Sequence, residues 1–165
     1  MADLFALDRS AVLSPCGRYR YLLRRQLQQE GALTCLFIML NPSTADAEVD
    51  DQTIRKCMKF AKAWGYDWLH VVNLFAWRAT SPEDMKAAGS PIGQYNLSRI
   101  MDAVSAADLV VCAWGKDGSY LNQATQVRQS LVGTHVHYLQ LNKDGSPKHP
   151  LYVKDNTRPT LWVTP

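Results

Sequence analysis

Asn41 and His149 each precede a proline, and Asn73 interrupts a run of apolar residues. A following proline biases a residue toward extended backbone, so the Asn41 amide and the His149 ring leave the chain in restricted directions. An amide inside an apolar strand needs hydrogen-bond partners, or it costs roughly 1–3 kcal/mol. Asn73 can find them in the backbone or in the donor and acceptor edge of a ligand. A histidine held as His149 is can donate to developing negative charge or move a proton; the plainer alternative is a loop histidine.

The neighbours of these three residues are also polar or aromatic. Asn41 is followed by Pro42, Ser43, Thr44 and, after Ala45, Asp46. These are turn formers, yet the run is longer than one strand-to-helix turn needs. Trp77 and Arg78 follow Asn73 closely, and an aromatic ring and a guanidinium beside an amide suit a flat heterocycle attached to a phosphate. Trp114-Gly115-Lys116-Asp117-Gly118 offers two glycines for tight turns or close ligand approach, and Lys116 for an anion. The spacing lacks the phosphate-loop signature, and no dinucleotide-binding glycine pattern is present, so a P-loop NTPase is rejected. Asp46, Asp50 and Asp51 read as helix caps or as oxygen ligands for magnesium. His135 and His137 share a strand face but have no clear third ligand, so no metal centre is expected. No cofactor is expected either.

The elements that must position these groups follow from apolar periodicity. Cys35 to Leu40, Leu69 to Phe75, Leu109 to Trp114 and Val136 to Leu141 read as strands. The first three are nearly continuous apolar runs, as in a parallel sheet covered on both faces. Helical stripes separate them: Ile54, Cys57, Met58, Ala61 and Trp64; then Leu97, Ile100, Met101 and Val104; then Leu121, Ala124, Val127 and Leu131. Asp50 or Asp51 caps the first stripe and Gly65 ends it, while Ser81-Pro82-Glu83-Asp84 starts a short helix of its own. Ala11 to Leu13 and Tyr19 to Leu23 read as a hairpin joined by Ser14-Pro15-Cys16-Gly17, and Leu161-Trp162-Val163 as a returning edge segment. The pattern predicts one α/β domain over residues 1–165. Its architecture is a three-layer sandwich with a mainly parallel four-stranded central sheet and an N-terminal hairpin at one edge. Ligands of such sheets bind outside the carboxyl ends of the strands, where the singled-out residues lie.

Bulk properties narrow the classes. At 165 residues the chain suits one domain, and 47% apolar with 20% charged residues is a globular composition. A net charge of +3 permits an anionic partner without requiring one. Arg18, Arg20, Arg24 and Arg25 cluster, and with Lys148 they read either as a solvated face or as a phosphate-facing patch. Cys16, Cys35, Cys57 and Cys112 lack metal-ligand spacing and fit free thiols in a reducing compartment. No signal peptide and no apolar run long enough for a bilayer is visible, so a cytoplasmic protein with no membrane partner is expected. The oligomeric state has no signature.

Tyr19-Arg20-Tyr21, Leu40 through Asp46, Asp51-x-Thr53, Val72-Asn73-Leu74-Phe75, Ala113-Trp114-Gly115 and His149-Pro150-Leu151-Tyr152 resemble the uncharacterised family catalogued as domain of unknown function 1643. More distantly, the order of these motifs is similar to that of the uracil-DNA glycosylase superfamily. That resemblance implies a parallel sheet between helices. It implies a water-positioning role for Asn41, base reading by Asn73, a Trp-Gly at Trp114-Gly115, and stabilisation of a departing base by His149. The chain departs from the pattern at Met39, where those enzymes carry glycine, and at Leu151-Tyr152, where they carry a segment that enters the DNA stack.

The leading expectation is a protein that recognises a nucleobase or nucleotide and cleaves an N-glycosidic bond in DNA or a nucleotide. Asn41, His149, Asp46 and Asp51 are its candidate catalytic residues. Asn73, Pro42, Ser43, Thr44, Trp77, Arg78, Trp114, Gly115 and Tyr152 would bind the ligand, and Arg18, Arg20, Arg24 and Lys148 the phosphates. The alternatives are a non-catalytic binder of nucleic acid or modified nucleotides and a metal-dependent phosphohydrolase built on the acids around Asp50.

Overall fold

A computed structural model describes residues 4–163. It contains one mixed sheet of seven strands: β1 (Arg9–Leu13), β2 (Arg20–Gln26), β3 (Thr34–Met39), β4 (Trp68–Asn73), β5 (Leu109–Cys112), β6 (His137–Tyr138) and β7 (Thr160–Leu161). Four α-helices accompany it: α1 (Gln52–Ala63), α2 (Pro82–Ala87), α3 (Asn96–Ala106) and α4 (Gln123–Ser130). The strand order is β1-β2-β4-β3-β5-β6-β7.

The expected sheet of four strands is therefore corrected to seven. β4, β3, β5 and β6 pair in parallel. The hairpin extends the sheet, because β2 pairs antiparallel with β4 from Leu23↔Val71 to Gln26↔Trp68. The returning tail closes the other side, with β7 antiparallel to β6. The strand expected over Val136 to Leu141 shrinks to two residues. Its remainder pairs with its own return instead, through Lys148 N–H to Gln140 O at 2.8 Å and a bridge between Leu141 and Pro147.

Every residue of β3 is buried. Successive side chains of a strand point to opposite faces. Cys35, Phe37 and Met39 join Ile54, Cys57, Phe60 and Ala61 of α1 in one apolar cluster. Leu36, Ile38 and Leu40 join Ile100 and Val104 of α3 and Val127 of α4 in the other. That two-sided burial is why the run reads as continuously apolar. Asp51 caps α1 by accepting the Ile54 N–H at 2.8 Å, and Ser81 caps α2. Among the described residues no helix is long and apolar enough to cross a membrane.

Candidate functional site

The parallel register sets Met39 beside Asn73, so β3 and β4 end together, and β5 ends beside Ile38. The loops leaving these ends meet the first turn of α1 and the segment 142–152 around a cavity of about 830 Å³. Asn41, Pro42, Ser43, Asp51, Asn73, Trp114, Gly115, Lys148, His149 and Tyr152 all line it. Ten of the sequence-derived site residues are thus brought to one place, and an eleventh, Arg20, reaches it from β2.

Each key side chain has a defined hydrogen-bonding state. Asn41 spends its amide N–H groups on the carbonyls of Pro42, at 3.2 Å, and Ala79, at 3.0 Å. Its Oδ1 is left as the group to offer. Asn73 is 1% exposed, and its Oδ1 accepts from Arg20 Nη2 at 3.3 Å. Its Nδ2 has no partner. The Nδ1 of His149 accepts the Leu151 N–H at 3.2 Å, which puts the proton of the neutral ring on Nε2. Burial holds the His149 pKa below its ordinary value, opposed in part by the charge of Asp51. Asp51 gives Oδ1 to its helix cap and keeps a second carboxylate oxygen.

The arginine cluster does not share one exposed face, as Arg20 shows. Arg20 is 2% exposed, and burial lowers its pKa to about 10, with Asp51 acting in the opposite direction. Its Nη1 donates to Ala45 O at 2.9 Å, and its Nε has no partner. Arg25 is buried as well, tied to Asp50 at 2.8 Å. Arg24 is exposed, but it pairs with His70, toward the amino end of β4 and away from the cleft. Arg18 is exposed at the hairpin and lies over the Trp77 ring.

Four further expected residues are set apart from the cavity, which they do not line: Thr44, Asp46, Trp77 and Arg78. Trp77 turns to the hairpin, where it bridges to Tyr19 and meets its ring edge-on. Arg78 donates to Gly17 O and Thr44 O, stitching hairpin to loop. Asp46 accepts the N–H groups of Glu48 and Val49, which hold its carboxyl below the usual range. Thr44 is exposed.

Sequence reasoning missed Thr53, Asn142 and Asp144, which also line the cavity. The turn-forming composition of 142–147 marks a loop, but nothing local says that it folds over the strand ends. Among the described residues no group of three or more His, Cys, Asp or Glu side chains is placed to hold a metal ion. A second cavity of about 780 Å³ lies against the hairpin, lined by Tyr19, Tyr21, Tyr95 and Arg99. It holds none of the buried polar atoms left without partners.

A family model described as "Protein of unknown function (DUF1643)" matches residues 20–151. The chain belongs to this family. The family match begins at Arg20 and takes in every cleft residue named above except Tyr152. No curated protein and no solved structure matches the chain.

Proposed function

We propose that the cleft binds a nucleobase, free or within a nucleotide or nucleic acid, and that N-glycosidic cleavage is the reaction its groups support. One observation carries the reading: the buried, unpartnered Nδ2 of Asn73 shares a cavity with the Nε2–H of His149 and the free Oδ1 of Asn41. A buried polar group without a partner costs free energy, and a ligand edge supplies the partner. The indole of Trp114 on the wall offers a face to a flat ring.

In the proposed reaction the bond between base and sugar breaks, and its electron pair leaves on the base. His149 donates a hydrogen bond to the base oxygen that gains negative charge. Asn41 Oδ1 accepts a hydrogen bond from the attacking water, whose oxygen bonds to the sugar carbon. The carboxylate of Asp51 takes the proton that this water gives up and offsets positive charge on the sugar. The distant resemblance of the motif order to that of the uracil-DNA glycosylase superfamily is in keeping with this reading. Lys116, Lys143 and Lys148 line the cavity and suit a phosphate on the ligand.

A non-catalytic binder is the second reading. It is favoured by the commitment of Asp46 to its own loop and of Asp50 to Arg9 and Arg25, which leaves Asp51 as the one expected acid at the cleft. The same commitments remove the support for a phosphohydrolase built on these acids.

The test is a titration of bases, nucleosides, nucleotides and short oligonucleotides, followed by tryptophan fluorescence, with released base measured by chromatography. Binding that Asn73→Ala abolishes supports the cleft reading, and released base supports the reaction. Binding without release selects the non-catalytic reading. If no base-bearing compound binds, the assignment is wrong.

A further inference from the structure

Arg20 lies inside the protein at 2% exposure, yet it forms no ion pair among the described residues. A buried guanidinium without a carboxylate is costly unless its donors are used and it serves another purpose. Two of its nitrogens are used. Nη1 donates to Ala45 O, and Nη2 donates to Asn73 Oδ1. The second contact has a consequence at the cavity. A side-chain amide presents a donor on one side and an acceptor on the other, and ordinarily either side can face a ligand. A guanidinium has donors alone, so an Asn73 amide turned the other way would set N–H against N–H. The flip of Asn73 is thereby decided by chemistry.

The backbone around Asn73 is held too. Its carbonyl accepts from Asn96 Nδ2 at 2.9 Å, and its strand is in register with Met39 of β3. Neither backbone nor side chain is free to swing. What remains without a partner is Asn73 Nδ2, joined by Arg20 Nε, and both residues line the same cavity. Of the cavity's lining residues, these are the two with a buried side-chain atom left without a partner, and both atoms are donors, which calls for an acceptor atom on the ligand where it meets them.

We infer that Arg20 is a positioning residue: it fixes the Asn73 amide so that the cleft meets its N–H side, which selects a base carrying a carbonyl over one carrying an amino group at the same ring position. An amino group there would place donor against donor and leave Asn73 Nδ2 buried without a partner. This inference rests on the base-binding reading proposed above and adds to it which residue sets the choice.

The experiment compares two pairs of probes that share a ring and differ in that group, uracil with cytosine and hypoxanthine with adenine. Affinities are measured for the wild-type chain, Arg20→Met and Arg20→Lys, with thermal unfolding recorded for each. The wild-type chain should favour the carbonyl member of the pair it accepts by at least about tenfold, the scale set by one unsatisfied buried group. Arg20→Met frees the amide to turn and should bring that ratio toward one. Arg20→Lys, which keeps a donor, should retain more of it. A mere loss of packing would weaken both members alike and leave the ratio unchanged. Should Arg20→Met fail to fold, the wild-type chain still decides: the side-chain amide resonance of Asn73, assigned by its loss in Asn73→Ala, should shift with the carbonyl member. Equal binding of both members, a ratio untouched in Arg20→Met, or a silent Asn73 resonance at saturation overturns the inference and leaves base binding intact. If no member binds, either free or carried in a nucleoside, nucleotide or oligonucleotide, base binding itself fails.

Discussion

The backbone N–H of Leu151 donates to Nδ1 of His149 at 3.2 Å, so the second nitrogen of the ring faces its surroundings as a donor. Pro150 between them starts a short 3-10 turn and fixes the geometry of this contact. A histidine in that state polarises a ligand oxygen without carrying charge.

Ligand binding should accordingly stay level as the pH falls to 6.5 and weaken only as it passes through the lowered His149 value, which lies under the ordinary histidine value of 6.5. Burial keeps the ring neutral to a lower pH than that. Once protonated, Nδ1 becomes a donor aimed at the Leu151 N–H, and the ring loses its support. Calorimetric titration across pH 5 to 8 reads this directly. In the proposed reaction His149→Ala should raise the barrier by about 2.7–4 kcal/mol, as loss of an oxyanion donor does. A His149→Ala variant with full turnover removes His149 from the mechanism.

Folding stability should show a related acid limb. The pKa of His70 is lowered to about 4 by burial, with Arg24 adding to the effect. His149 is shifted in the same direction. The unfolded chain takes up these protons near 6.5 while the folded one resists. The stability they contribute is complete above about pH 6.5 and is lost as pH falls through the folded values. Urea midpoints measured from pH 8 to 4 should fall on the acid side, and His70→Gln should flatten the fall.

Asp51 joins two duties that one substitution separates. Asn caps a helix about as well as Asp, so Asp51→Asn should leave stability within about 0.5 kcal/mol, whereas Asp51→Ala should cost about 1 kcal/mol. Both remove the carboxylate charge from the cleft. Base release should fall in both variants, and equal activity in Asp51→Asn would show that the residue is a cap and nothing more.

The pair of Arg25 and Asp50 anchors the hairpin to the loop after β3. Arg25 is fully buried, and besides Asp50 Oδ1 it donates to the carbonyls of Asp46 and Val49. Removing Asp50 strands the guanidinium, so Asp50→Ala should cost about 3–5 kcal/mol in denaturant unfolding. Asp155, which meets Lys56 and Lys59 at 66% exposure, should be replaceable by Ala without a measurable change.

Salt dependence should locate the phosphate contacts. Lys148 lines the cavity, while Arg18 and Arg24 do not. Lys148→Ala should weaken a nucleoside phosphate and reduce the dependence of affinity on salt. Arg18→Ala and Arg24→Ala should do neither; a large effect from either would move the phosphate to the hairpin.

Much of this architecture is legible in the residues because it is local. Cys35 to Leu40 and Leu109 to Trp114 read as strands since burial on both faces leaves no polar position to interrupt them, and Leu69 to Phe75 reads as one although His70 and Asn73 break its apolar run. Asp51 and Ser81 read as caps since a cap bonds a backbone N–H three residues away. Asn41, Asn73 and His149 stand out since a proline or an apolar run is their immediate neighbour. The same local reading explains the misplaced residues. Trp77 and Arg78 lie next to Asn73 in the chain, but the backbone leaves the ladder there and pairs with the hairpin at Tyr19.

The charge run from Arg18 to Arg25 shows where sequence stops deciding. By composition it is a surface, and half of it is one. Arg20 and Arg25 are buried because β2 pairs with β4 and brings them against the loop that follows β3. The bonds that account for Arg20 go to Ala45 and Asn73, 25 and 53 residues away. The chain by itself determined which residue types were available and which segments became strands, because periodicity and capping act over a few residues. The tertiary structure decided that an arginine would enter the cleft and bond to Asn73, because strand pairing acts between segments whose separation no local pattern records.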